Sequence, residues 1–281
     1  MSESRTYPAG VTSWIDVTVD DVEAAKDFYG RLFGWTFTQA TPPGIPVRYV
    51  IAQLDGQDVA GIGGPAEPTG SPAGVWSTYV AVDDIDAAIA SVEAAGGRVV
   101  HPVEQAGEGG HNATVADPSG VEISLWQAKR RLGAQVTNTP GAWNFSDLHA
   151  ADPVASQAFY EQVFGWVFVD IGQEDTTSAT MIQVPGYGDH LAATVDPGIY
   201  ERQATAPPGF ADVIGGIAQA GDEQPHWHVT FTVADRDESA SLAESLGATV
   251  LGREDTDWTK QATLRDPQGA VFTASQFTPP G

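Results

Sequence analysis

Residues 28–37, FYGRLFGWTF, return almost letter for letter as residues 159–168, FYEQVFGWVF, so the chain is built by duplication. Phe28, Tyr29, Leu32 and Phe33 fall on one helical stripe, which marks the segment as the end of an amphipathic helix. Gly34 and Gly165 then stand where a helix commonly ends in a left-handed residue. The aromatic and β-branched residues that follow, Trp35-Thr36-Phe37 and Trp166-Val167-Phe168, suit a strand.

Working outward, Trp14 to Val19 alternates in side-chain direction and predicts a strand with Ile15, Val17 and Val19 on one face. Asp21 is an N-cap for the helix, and strand segments around Thr36, Tyr49 and Val59 complete a β-α-β-β-β unit. VAVDDIDAA from Val80 repeats VTVDDVEAA from Val17, which gives the first half its own internal repeat. That second unit closes after the turn Asp117-Pro118-Ser119-Gly120 with a strand from Val121 to Trp126.

Asn144 to Leu148 opens a third unit, with Asp152 and Pro153 starting its helix and weaker strand signals near Thr180 and Leu191. His226 to Val233 opens a fourth, whose helix lies around Leu242 and Leu246 and whose turn at Asp266 echoes Asp117. The stretch 195–224 has no counterpart in the first half and reads as an insertion able to cover a site. The expected fold is α+β, with four βαβββ units paired into two domains of curled mixed sheets, helices outside. One domain is 8–128 (units 8–64 and 75–128), and the other 140–278 (units 140–194 and 225–278).

The formal charge of −24, from 37 acidic against 13 basic residues, argues against nucleic acid or an anionic membrane as partner. With no cysteine, disulfides, thiolate ligands and a cysteine nucleophile are all excluded. No apolar run reaches membrane-spanning length and the start lacks the pattern of a signal peptide, so the expectation is a cytoplasmic protein, monomer or homodimer.

The duplicated unit, with its aspartate-capped FY..LFGW helix and closing DP.G strand, resembles the vicinal-oxygen-chelate superfamily of glyoxalases, bleomycin-resistance proteins and extradiol dioxygenases, in particular its tandem glyoxalase-like actinobacterial members. The resemblance covers nearly the whole chain. It implies a ligand cup on the concave side of each sheet. Strand parity places Trp14, Asp16, Tyr79, Trp126, Phe145, Asp147, His149, His226 and His228 on that side as ligand-binding candidates.

The family's metalloenzymes draw ligands from first and last strands of paired units. The matching positions here are Trp14, Ser77, Phe145 and His228, with Ser124 and Thr273 at the glutamate position. One histidine does not hold a divalent ion, so no metal cofactor is expected. A substitute set would have to come from His226, His228 and His149, with Asp147 and His190 in reserve.

Two readings follow. The chain binds a small aromatic metabolite, neutral or cationic, in a sequestration or accessory role; or it is a glyoxalase-like lyase or isomerase in which Asp147 and His228 are the acid-base groups, with or without a divalent metal.

Overall fold

The computed structural model describes residues 5–70, 74–170 and 180–278. The first repeat runs β1 (Thr12–Thr18), α1 (Val22–Phe33), β2 (Thr36–Gln39), β3 (Val47–Leu54) and β4 (Gln57–Pro65). The second is β5 (Val75–Ala81), α2 (Ile85–Ala94), β6 (Arg98–Ala106), β7 (Gly110–Ala116) and β8 (Glu122–Ala128). The third is β9 (Trp143–Ala150), α3 (Pro153–Phe164), β10 (Val167–Asp170), β11 (Thr180–Gln183), the short helices α4 (Tyr187–Ala193) and α5 (Ile199–Arg202), and β12 (Val213–Gln219). The fourth is β13 (His226–Thr232), α6 (Arg236–Ser245), β14 (Thr249–Asp255), β15 (Thr259–Arg265) and β16 (Val271–Phe277).

The strands form two curled mixed sheets of eight, ordered β2-β3-β4-β1-β5-β8-β7-β6 and β10-β11-β12-β9-β13-β16-β15-β14. In each repeat the first strand pairs in parallel with the last, as β1 does with β4 and β13 with β16, while the intervening strands pair antiparallel. The four long helices that follow a first strand start on a capping aspartate. Asp21, Asp84, Asp152 and Asp235 each accept backbone N–H groups of the first turn. Gly34 and Gly165 close α1 and α3 at φ 75° and 70°, in the left-handed region that a side chain disfavours.

Buried apolar residues gather into two compact units. One comprises Trp14–Ser77, Ala134–Phe145 and His228–Gly281, joining the first and fourth repeats; the other comprises Met1–Ser13, Thr78–Gly133 and Ser146–Trp227, joining the second and third. In the first-and-fourth unit Phe33 packs on Phe231 at 4.8 Å between ring centroids, and Tyr29 Oη donates to Asp266 Oδ2 at 2.8 Å. Trp35 Nε1 donates to the Gly141 carbonyl at 2.7 Å.

The other unit repeats the scheme: Trp166 Nε1 donates to the Gly10 carbonyl at 2.7 Å, and Tyr160 stacks on Trp166. The duplicated motif is therefore an anchoring device. Its aromatic residues fill a core, and its polar atoms tie the helix end to segments far away in the chain. Burial drives the Tyr29 hydroxyl far above its ordinary pKa and raises that of the Asp266 carboxyl, so the pair holds its proton on the tyrosine.

Two expectations are corrected. Leu191 lies in α4, not in a strand, because YGDHLAA brings Tyr187 and Leu191 to one buried helical face. Residues 195–224 are not wholly an insertion. They contain β12, the closing strand of the third repeat, so the extra chain lies between β11 and β12, where α4 and α5 form. The helix expected around Leu242 and Leu246 is α6, which buries Ala240 and Ala243 and leaves Leu242 exposed. The parity of the first strands is as expected, with Ile15 and Val17 buried in β1, Val19 buried just beyond it, and Trp227, Val229 and Phe231 buried in β13.

Candidate functional site

In the first-and-fourth unit, β1 brings Trp14 and Asp16 to one face and β4 runs beside it with Gly61 opposite Asp16. A third residue completes a chain of polar contacts. Trp14 Nε1 donates to Tyr49 Oη at 3.0 Å, and Tyr49 Oη donates to Asp16 Oδ2 at 2.9 Å. The glycine makes this possible, because a Cβ at Gly61 would lie 2.0 Å from Tyr49 Oη and 2.9 Å from Asp16 Cβ.

Phe145 is half-buried in this unit. His228 is buried, with Nε2 2.8 Å from Thr273 Oγ1, so the positions matching family metal ligands hold a histidine–threonine hydrogen bond. Trp14, Ser77, Phe145, Ser124 and Thr273 offer neither an imidazole nor a carboxylate. The donors at those positions do not fit a divalent ion.

In the second-and-third unit, β12 pairs in parallel with β9, Ile217 opposite Leu148, which sets Gly216 beside Asp147. A Cβ at Gly216 would meet Asp147 Oδ1 at 2.9 Å. Burial pushes the pKa of the Asp147 carboxyl up, against the opposing pull of His149 and of the Gly216 N–H.

On the same strand face, His149 Nδ1 stands 2.8 Å from Glu223 Oε1, and its ring meets that of His226 edge to face at 4.8 Å between centroids. His190 lies on α4, where Nε2 is 3.1 Å from the Thr6 carbonyl. Tyr79 is half-buried on β5 opposite Ser124, and Trp126 is nearly buried, its Nε1 donating to the Arg131 carbonyl at 2.8 Å. Trp126 also lines a cavity with Thr6, Tyr7, Asp83 and Gln127.

The sequence candidates thus divide between the units. Trp14, Asp16, Phe145 and His228 belong to one; Tyr79, Trp126, Asp147, His149 and His226 belong to the other. Tyr49 and Glu223 were missed as site residues. Tyr49 reads as an ordinary strand aromatic, and Glu223 falls in the stretch taken for an insertion. The glycines in AGIGG (60–64) and IGG (214–216) were the available signal, since glycine inside a strand often marks close approach of another group.

Residues 12–125 match the model of the glyoxalase/bleomycin resistance protein/dioxygenase superfamily, and residues 143–275 match that of a glyoxalase-like domain. Among curated proteins the chain is 33% identical to CFP32 of Mycobacterium bovis, which carries the name of a glyoxylase, over 99% of both chains. It is 31% identical to the anthracycline biosynthesis protein DauV of Streptomyces sp. (strain C5), over 96% of this chain and 94% of that one.

Among solved structures, a Mn(II)-bound glyoxalase from Novosphingobium aromaticivorans matches 98% of this chain and 83% of its own with a TM-score of 0.59 at 15% identity. The 2,3-dioxygenase LapB from Pseudomonas sp. KL28 matches 97% and 93% with a TM-score of 0.58 at 14% identity. At such identities these structures speak for the fold alone.

Proposed function

The chain belongs to the glyoxalase/bleomycin resistance protein/dioxygenase superfamily, and on that premise we propose that it binds a small planar or ring-containing organic molecule, neutral or positively charged, at the sheet face that carries Asp147. The observation that carries this reading is the Asp147 carboxyl itself, half-buried beside the glycine backbone of β12, with desolvation there pushing its pKa up.

A carboxyl in such surroundings favours a ligand that brings a cation or a hydrogen-bond donor, because the donor restores to the carboxylate what burial removed. The charge of −24 favours approach of a cation and opposes that of an anion. Relatives named for anthracycline biosynthesis support a ring-containing ligand, since anthracyclines are built on fused planar rings. The role is sequestration or an accessory step, in keeping with the poor metal donors at the family's ligand positions.

The raised pKa of Asp147 also supports a second reading, a glyoxalase-like lyase or isomerase. A carboxylate of increased basicity takes a proton from carbon beside a carbonyl more readily than an ordinary aspartate does. Calorimetric titration with cationic aromatic antibiotics, neutral polyketides and glutathione adducts, at two ionic strengths, separates the two. Sequestration requires saturable binding of an aromatic ligand without turnover, weakened about tenfold or more in Asp147→Asn, the loss of roughly one charge-assisted hydrogen bond. Turnover of a glutathione adduct, with no binding of the aromatic ligands, would replace it by the enzyme reading.

A further inference from the structure

We propose that His149, Glu223 and His226 form a binding site for a divalent cation of the zinc type, distinct from the positions at which relatives of this fold place their metals. One nitrogen from each ring and one carboxylate oxygen lie within 4.8 Å of one another. His149 lies further along β9 than Phe145, the position that matches a family ligand, and His226 begins β13 ahead of His228. Glu223 sits in the turn between β12 and β13. That turn is closed by the Glu223 N–H donating to the Ala220 carbonyl at 3.2 Å and is allowed by Gly221 at φ 61°.

The second layer of contacts fits a metal site. His226 Nδ1 lies 2.9 Å from the Gln224 carbonyl, which only accepts, so that nitrogen carries the proton and Nε2 of the neutral ring carries the lone pair. His149 Nδ1 and Glu223 Oε1 already face each other at 2.8 Å, as two ligand atoms of one ion do before they close on it.

Ligand atoms around zinc at about 2.0–2.1 Å stand roughly 3.4 Å apart in a tetrahedral set, so closure needs about 1 Å of side-chain movement. Glu223 is exposed on its turn and the rings are half-buried, which gives both the freedom to close and a path for the ion. Two imidazoles and one carboxylate select zinc, copper or nickel over magnesium or calcium, and leave positions for water or a ligand oxygen.

The test is titration of the untagged full chain with Zn(II) by calorimetry, with Co(II) as a spectroscopic substitute. One equivalent should bind saturably. His149→Ala and His226→Ala should each weaken it by at least ~10-fold, since even loss of a supporting contact costs that much, while His228→Ala leaves it unchanged. Circular dichroism of each variant controls for folding, and Glu223→Gln supplies a near-isosteric change that should also weaken zinc. Absence of saturable binding, binding that survives in both histidine variants, or binding lost in His228→Ala would each overturn the site. The proposal stands or falls independently of organic-ligand binding, because the probe is the metal alone.

Discussion

The first and third repeats place an aspartate at the same point of the first strand, with a glycine beside it in the parallel neighbour: Asp16 with Gly61, and Asp147 with Gly216. The surroundings then diverge. In the first repeat the space over Gly61 is filled by the Tyr49 hydroxyl, which donates to Asp16 and accepts from Trp14. In the third repeat the space over Gly216 is met by the Asp147 carboxylate itself. In the first copy Tyr49 lies two residues before Ile51, which faces Gly61, and its ring reaches over that glycine. One copy has closed its aspartate into an internal hydrogen-bond chain. The other keeps a carboxyl of raised pKa, and that difference directs the functional proposal to the third repeat.

The comparison breaks first at the glycines. Gly61→Ala sets a Cβ 2.0 Å from Tyr49 Oη and must expel the tyrosine; a loss of about 1–3 kcal/mol in urea unfolding is expected. Gly216→Ala meets only the end of a rotatable carboxylate at 2.9 Å and gains strand propensity, so its cost should stay below about 1 kcal/mol while ligand affinity falls. Equal losses in the two variants would show that the copies are packed alike. A step smaller is Tyr49→Phe, which removes the hydroxyl shared by Trp14 and Asp16 and should cost about 1–2 kcal/mol in the same assay without altering binding at Asp147.

Much of the fold was legible because its signals are local. The aspartate caps, the Gly34 and Gly165 stops and the alternation of β1 and β13 each depend on residues within one or two turns of chain. What was hidden depends on distant partners. Tyr29 and Asp266 are both visible motif residues, yet nothing in either stretch says that the first repeat's helix ends against the fourth repeat's turn. β12 is hidden because VIGGIAQ falls within the stretch that reads as an insertion, although Gly216 is there to admit Asp147.

The site was legible to the same degree. Parity named Asp147, His149 and His226, which fall in one unit, but it also named His228, which belongs to the other unit and spends its Nε2 on Thr273. Glu223 could not be named, since a carboxylate on a turn is indistinguishable in sequence from the acidic surface around it.

The smallest expected effect is also the most specific to the third repeat, and it is a sign rather than a size. Burial raises the Asp147 pKa in the folded state, so between the ordinary aspartate range and that raised value the folded chain holds a proton that the unfolded chain has released. Stability contributed at this site therefore falls as pH rises through that window. It is unaffected at lower pH, where the carboxyl is protonated in both states, and it stays lowered above the window, where the buried group is charged. Asp147→Asn carries no such charge, so the difference in unfolding free energy, variant minus wild type, should grow in the variant's favour across the window and then level off. Urea titrations at a series of pH values measure it. A difference profile for Asp147→Asn that is flat, or that runs the other way, would mean that burial does not raise this carboxyl's pKa, and would remove the physical ground for a ligand there.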